Sequence, residues 1–371
     1  MPIEKKLHFI SMDVPFPPKY GGIIDVYFKL KAFHQLGVKI YLHLFGNSTD
    51  GIEDLKPLAE EIYFYPIKKN PVYFLHPFPF SVKSRSAKEL LKNIKKHQVP
   101  LFFESLKTTQ ILHWDVLCDY PKYLRLHNIE QNYFEGLAKS ESDKLKRKMF
   151  QVEARKYVKY ESIISQMDEV FTLSIAEQQL IERKYNKGMY VPVFHGNSKL
   201  PYLEPFGKFV LYHGDLRAAD NCKAVEYLID VFKDLDYPLV IASSTKEDWV
   251  KSKIRAFQNI KFIYLNDFHH LLQLFNQAHI NIAWSFQASG TKLKVINALF
   301  NSRYSIINAN IIDDKKVSEL CFSVESTEEL IEKIDQLMHQ SFQSSIQYRD
   351  VLENYLNDIK NAETILHRIF P

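Results

Sequence analysis

Short apolar runs alternate with segments of helical spacing from residue 6 to residue 308, and the alternation breaks once, between 195 and 208. The runs "KLHFIS" (6–11), "VKIYLHLF" (38–45), "EEIYFYPI" (60–67), "VPLFFES" (99–105), "KYLRLHN" (122–128), "DEVFTLS" (168–174) and "GMYVPVF" (188–194) have the length and near-continuous apolarity of strands buried on both faces. Between the first two, Ile23, Val26, Tyr27, Leu30 and Phe33 recur at helical spacing, and Gly37 supplies the helix stop. Strand, helix and strand within about 40 residues is a βαβ unit, which needs a parallel sheet with helices on its faces. A long charged helix is expected at about 141–164 and another at 175–185.

The segment "HGNSKLPYLEPFGK" (195–208) carries two prolines, three Gly or Asn residues and no period, so it reads as an interdomain linker. Strands are expected again at 209–214, 238–243, 260–265, 279–284 and 304–308, with helices at 218–233, 245–257, 267–277 and 291–300. The tail from about 326 to 369 reads as helices. The expected class is α/β, with two Rossmann-like domains facing a central cleft. Their boundaries are placed at 1–195, a linker at 196–208, 209–342, and a C-terminal helical segment, 343–371, crossing back to the first domain. Open parallel sheets bind ligands beyond the carboxyl ends of their strands, so those ends are where functional residues are sought.

Composition narrows the classes. A net charge of +4 over 371 residues does not imply nucleic acid. Three widely separated cysteines fit reduced thiols rather than disulfides or a zinc site. The start, "MPIEKKLHFISMDVPFPP", lacks the long apolar region of a secretory signal, and no stretch reaches roughly 18 apolar residues, so a cytoplasmic protein is expected.

Three loops stand out at strand ends. "DVPFPPKYGGIIDV" (13–26) sets Asp13, three prolines, Tyr20 and the pair Gly21, Gly22 directly before a helix. Glycines there let a ligand approach the backbone amides, although the same residues also suit a plain tight turn, and the GxGxxG fingerprint is absent. "FQASGTKLKVINAL" (286–299) opens a helix with Ser289, Gly290 and Thr291, whose amides and hydroxyls can hold an anion, and adds Lys292 and Lys294. One of these lysines can belong simply to a solvated face. "LRLHNIEQNY" (124–133) puts His127 and Asn128 after an apolar run, where an imidazole can bind a sugar hydroxyl or move a proton. Glu104, ending "LFFES", is a further cleft carboxylate candidate, with a helix cap or surface acid the first expectation. The DxD-like "DLD" (234–236) falls at the amino-terminal edge of the sheet and is set aside, and Asp313 and Asp314 read as a loop.

Taken in order, "DVPFPPKYGG", "RLHNIE", "LYHGDLRAADNCKAVEYL" and "SGTKLKVINAL" resemble the GT-B glycosyltransferases of family 4, the retaining, metal-independent group, over nearly the whole chain. The resemblance implies a nucleoside diphosphate sugar donor held by the second domain, a glycan or lipid-linked acceptor held by the first, no cofactor and no metal. It implies His127 at the donor sugar. Gly21, Gly22, Gly214, Arg217, Ser289, Gly290, Thr291, Lys292, Leu293, Lys294 and Asn297 fall to the donor, and Asp13, Tyr20 and Asn128 to the acceptor side. It also suggests surface polysaccharide or glycan assembly in a bacterium. Two departures stand against the family pattern. An acidic pair eight residues apart is replaced by Ser289 and Asn297, the latter a neutral amide at the ribose-gripping position. The usual Arg and Lys of the second domain are replaced by Asp215 and Asp220, with Arg217 and Lys223 nearby.

The basic segment 139–160 has acids interspersed and reads first as a solvated face. With the aromatic "NPVYFLHPFPF" (70–80) it also suits peripheral contact with anionic lipid on the inner face of the plasma membrane. Competing functions are a non-catalytic sugar-nucleotide binder or partner subunit, and a nucleotide-sugar epimerase; a dehydrogenase lacks its glycine fingerprint.

Overall fold

The computed structural model describes residues 4–18, 20–115, 117–141, 143–287 and 293–371. The chain divides into two compact units, Met1–Gly196 with Leu356–Pro371, and Asn197–Tyr355.

The first unit is built on a seven-stranded parallel sheet: β1 (Lys6–Ser11), β2 (Lys39–Gly46), β3 (Glu61–Pro66), β4 (Leu101–Glu104), β5 (Lys122–Leu126), β6 (Glu169–Thr172) and β7 (Met189–Tyr190). Their spatial order is β3-β2-β1-β4-β5-β6-β7. The order reverses between β1 and β4, so a crevice opens beyond the carboxyl ends of those two strands. Phe9, Phe102 and Phe171 stack across the middle of the sheet, with Phe33 edge-on to the first two. Helix α1 (Gly21–Gln35) buries Ile23, Val26, Leu30 and Phe33 against this face. It stops where Gly37, at φ +78°, turns the chain into β2.

The last helix, Asp358–Ile369, belongs to the first unit. Ala362, Ile365, Leu366 and Ile369 form its apolar stripe and join the same core as α1. Each large side chain among them contributes about 1.5–3 kcal/mol of burial. Asn357 caps the helix by accepting from the amides of Ile359 and Lys360, and Asp358 accepts from the amide of Gly196 at 2.8 Å. The chain rejoins this unit only at Leu356, so residues 343–355 stay with the second unit rather than with the returning helix.

The second unit holds a six-stranded parallel sheet: β8 (Phe209–His213), β9 (Leu239–Ser243), β10 (Ile260–Tyr264), β11 (Ala278–Ala283), β12 (Tyr304–Ile307) and β13 (Phe322–Ser323). The order is β10-β9-β8-β11-β12-β13, which places its reversal between β8 and β11.

Several expected elements are modified. The run 188–194 pairs only at Met189–Tyr190. Pro192 has no amide to donate, and the carbonyls of Val191 and Pro192 accept instead from the Arg125 guanidinium, at 2.9 and 3.0 Å. The long helix expected at 141–164 is a helical pair, Glu130–Ser140 and Lys144–Tyr160. Asp143 restarts the second by accepting from the Lys146 amide.

Candidate functional site

The carboxyl ends of β1, β4 and β5 bring together His127, Glu104 and the glycine pair. Glu104 is fully buried, which corrects its expected surface or capping role. Its Oε2 lies 2.8 Å from His127 Nε2, and its Oε1 lies 2.8 Å from Lys29 Nζ. Lys29 also reaches Asp25 at 2.7 Å, and Asp25 is held by Arg125 at 3.0 Å and by the amide of Phe194 at 2.9 Å. Burial alone would raise the Asp25 pKa; Arg125 and Lys29 outweigh it and hold the carboxyl far below its usual range. Two buried carboxylates therefore meet two buried cationic side chains.

This arrangement sets the histidine's tautomer. The Glu104 carboxylate accepts a hydrogen bond from Nε2–H, so in the neutral imidazole Nδ1 carries the lone pair. Nδ1 is buried and has no hydrogen-bond partner among the described residues. It faces Gly22: a Cβ built there would stand 3.5 Å from Nδ1, 3.1 Å from Met12 Cε and 3.6 Å from Tyr20 Cε2. At Gly21 a Cβ would meet nothing within 4 Å, so the two glycines are not equivalent. Helix α1 begins here without a side-chain cap and without an acidic residue in its first turn. Tyr20 donates to Asp13 Oδ2 at 3.1 Å, and Asn128 is partly buried beside His127 in sequence.

Asp25, Glu104 and His127 also have the mutual spacing of a metal ligand set. The Lys29 ammonium already sits between both carboxylates, and Arg125 neutralises the remainder. A divalent ion would face two buried cations, so these residues do not fit a metal.

In the second unit the strand-end residues come from β8, β11 and the helix Leu293–Asn301. Ser289, Gly290, Thr291 and Lys292 lie outside the described residues. Leu293 opens the described helix. Lys294 Nζ lies 3.3 Å from the carbonyl of Trp284, just beyond β11, and 5.3 Å from the centre of the Tyr212 ring. Burial, helped by the Lys294 charge, pulls the pKa of His213 down to about 3. Lys294 thus places a cation over the ends of the two strands that flank the sheet's reversal. Gly214 ends β8, its amide bonded to Ala242 O at 3.3 Å, with the Asn221 side chain where a Cβ would go.

The acids that replace the family's cations have structural work. Asp215 grips Arg217 through contacts of 2.6–3.0 Å, and the Arg217 side chain is 76% exposed, so its charge is compensated and solvated. Asp220 accepts from Ser285 Oγ at 2.7 Å and from the Phe286 amide at 2.9 Å, fixing the turn after β11. Asn297 is buried; its Oδ1 accepts from Asn197 Nδ2 at 2.9 Å, and Asn197 Oδ1 accepts from Asn301 Nδ2 at 2.9 Å. An amide cluster thus stands at the position where the resemblance implies a carboxylate.

Sequence reasoning missed Asp25, Lys29 and Arg125. Their signal was present: an Asp–Lys pair at i, i+4 inside an apolar helical stripe, and an arginine inside a buried-strand run.

No family model matches the chain. A protein of Klebsiella pneumoniae described as "Uncharacterized 44.6 kDa protein in cps region" is 26% identical over 335 residues, covering 81% of this chain and 82% of the relative. Among solved structures, sucrose-phosphate synthase from Thermosynechococcus elongatus superposes with a TM-score of 0.70 at 14% identity, covering 98% of both chains. TarM from S. aureus, in a complex containing UDP, gives 0.66 at 12% identity over 99% of this chain and 100% of its own. HepE from Anabaena, bound to UDP and glucose, gives 0.63 at 10% identity over 98% of both. With two parallel Rossmann-like sheets and a last helix returned to the first unit, the chain has the GT-B fold, the architecture of the glycosyltransferases it is similar to.

Proposed function

We propose that the chain is a glycosyltransferase that moves a sugar from a nucleoside diphosphate sugar to a glycan or lipid-linked saccharide, with retention and without a metal. The observation that carries this reading is Lys294, whose ammonium stands over the ends of β8 and β11. A cation beside a helix start at a sheet reversal suits a diphosphate. In the reaction, the bond from the anomeric carbon to the β-phosphate oxygen breaks and its electron pair leaves with the diphosphate. The acceptor oxygen bonds the anomeric carbon on the same face, and its proton passes to the departing phosphate. Lys294 stabilises the charge that develops on that phosphate. His127 Nδ1, kept as an acceptor by Glu104, takes a hydrogen bond from a donor-sugar hydroxyl. The UDP and sugar complexes of TarM and HepE support the substrate class.

Incubating the purified protein with UDP-, GDP- and ADP-sugars and a panel of saccharide acceptors tests the reading. A new glycoside with the donor's anomeric configuration is expected, in buffer containing a chelator. Nucleotide sugar binding without transfer or hydrolysis across the panel would favour the second reading, a non-catalytic binder. The observation behind that alternative is the pairing of Arg217 with Asp215, which leaves fewer uncompensated cations for the diphosphate.

The lipid-linked acceptor is supported by one surface of the first unit. Val72 and Leu75, 64% and 86% exposed, project from the segment Pro71–Leu75. That segment is tied to the basic helix Lys144–Tyr160 by Lys156, which donates to Phe74 O at 2.8 Å. Exposed aliphatic side chains beside lysines suit an anionic bilayer surface. Among the described residues no helix is long and apolar enough to cross a membrane.

A further inference from the structure

We infer that Arg85 forms a subsite for an anionic group on the acceptor, a phosphate or a carboxylate. The inference rests on the glycosyltransferase reading and adds the acceptor's charge to it. Arg85 is partly buried in the loop after the short helix Phe80–Lys83. Its Nε donates to Met12 O at 2.7 Å and its Nη1 to Ser81 O at 2.9 Å. These two carbonyls fix the plane of the guanidinium but bring no countercharge. Among the described residues no carboxylate lies within ion-pair distance of it.

The fully buried arginines differ. Arg125 has Asp25 at 3.0 Å. Arg303 donates to Asn276 O and Ala278 O at 2.6 and 2.8 Å, the carbonyls that end the helix Phe268–Gln277, where the helix dipole is negative. A cation partly withdrawn from water without a countercharge is costly, and a planar fork held in one orientation matches a carboxylate or phosphate through two parallel bonds. Burial pulls the Arg85 pKa below its ordinary value, although Tyr157, Asp13, Tyr20 and Glu130 act the other way.

The position also fits an acceptor. Met12, whose carbonyl orients Arg85, is the residue after β1, and its side chain meets the space above Gly22. His127 Nδ1 and Tyr20 border the same space. The guanidinium and the reading's donor-sugar acceptor atom therefore share one strand-end rim. Asp13, fixed by the Val14 amide at 3.0 Å and by Tyr20, leaves that rim able to take hydroxyls beside the anion.

The test uses the full chain and four probes: glycerol 3-phosphate and glucuronate, with glycerol and glucose as their neutral twins. Titrations are followed by calorimetry and by the Arg85 Nε resonance, assigned as the one missing from the Arg85→Lys spectrum. At least one anion is expected to bind saturably and shift that resonance, with the neutral twins inactive. Arg85→Gln is expected to weaken it roughly tenfold or more, since a charge-assisted hydrogen bond is lost. Arg85→Lys, which keeps the charge but not the fork, is expected to fall between. Which anion wins separates a phosphorylated from a uronate acceptor. The inference is overturned if neither anion shifts the resonance, if the neutral twins bind as well, if Arg85→Gln binds the anion unchanged, or if UDP displaces it. Should no nucleotide sugar bind while the anion does, the glycosyltransferase reading falls and the anion site stands. Native unfolding transitions of both variants separate lost binding from lost fold.

Discussion

Glu104 Oε2 lies 2.8 Å from His127 Nε2 at a fully buried position, so the neutral imidazole presents its unprotonated Nδ1 toward Gly22. The same carboxylate pairs with Lys29, which couples the orientation of the His127 imidazole to a buried ion pair.

Breaking that pair should cost stability as well as activity. Glu104→Gln leaves Lys29 with one carboxylate fewer in a dry interior, and losing one partner of a buried ion pair costs about 3–5 kcal/mol. Urea unfolding should show a loss of that order, and the double variant Glu104→Gln with Lys29→Met should recover much of it. Additive losses in the double variant would mean the pair is not coupled.

The two glycines should behave differently. Gly22→Ala puts a methyl 3.1 Å from the end of the Met12 side chain and 3.5 Å from His127 Nδ1. Met12 can shift, so unfolding free energy should change by less than about 1 kcal/mol, while transfer falls as the methyl covers Nδ1. Gly21→Ala enters open space in the first turn of α1 and should be neutral or stabilising by a few tenths of a kcal/mol to about 1. Equal effects of the two substitutions on transfer would count against the facing of Gly22 and His127.

Acid sensitivity should come from a second buried group. His8 Nε2 must donate to His97 O at 2.9 Å, so its Nδ1 accepts from His43 Nε2, also at 2.9 Å. His43 Nδ1 then accepts from Tyr65 OH, and Tyr65 accepts from Asn93 Nδ2. An added proton would set two donors against each other. Burial accordingly lowers the His8 pKa to about 4 from 6.5, and His43 lies well below 6.5 for the same reason. Above pH 6.5 neither state takes up these protons. As pH falls below that, the unfolded chain binds them while native His8 stays neutral until about pH 4, so stability declines through this window and the His8 contribution then levels. The His8 contribution is about 2 kcal/mol at pH 5. Urea midpoints from pH 7 to 4 should show the decline, and His8→Gln should reduce it. An unchanged profile in that variant would remove His8 from the account.

Membrane contact is tested with vesicles. Cosedimentation with phosphatidylglycerol-containing vesicles should exceed that with phosphatidylcholine alone and weaken with salt. Leu75→Asp should reduce it several-fold without changing the unfolding transition, because Leu75 is 86% exposed. Equal binding to both vesicle types would leave the basic helix a solvated face.

Much of the fold was legible because parallel strands buried on both faces read as continuous apolar runs, and twelve of them carried that pattern well enough to locate. The elements that escaped have local reasons. Phe322–Ser323 is too short to show a period, and 191–194 keeps an apolar pattern but gives its carbonyls to Arg125. At the site, glycine pairs, His127 and Lys294 announced themselves by position after strands. Glu104 did not, because a carboxylate ending a strand reads alike whether it caps a helix or pairs with a histidine 23 residues away, after the neighbouring strand. Arg85 lies in an irregular loop, and its role depends on the carbonyl of Met12, 73 residues distant.

The central claim is that the second unit binds a nucleoside diphosphate through Lys294. Calorimetric titration of UDP-, GDP- and ADP-sugars into the native chain and into Lys294→Ala tests it most directly. One of the three should bind the native chain, with affinity falling about tenfold or more in a variant whose unfolding transition is unchanged. Equal affinity in both proteins, or no binding of any of the three, would contradict it.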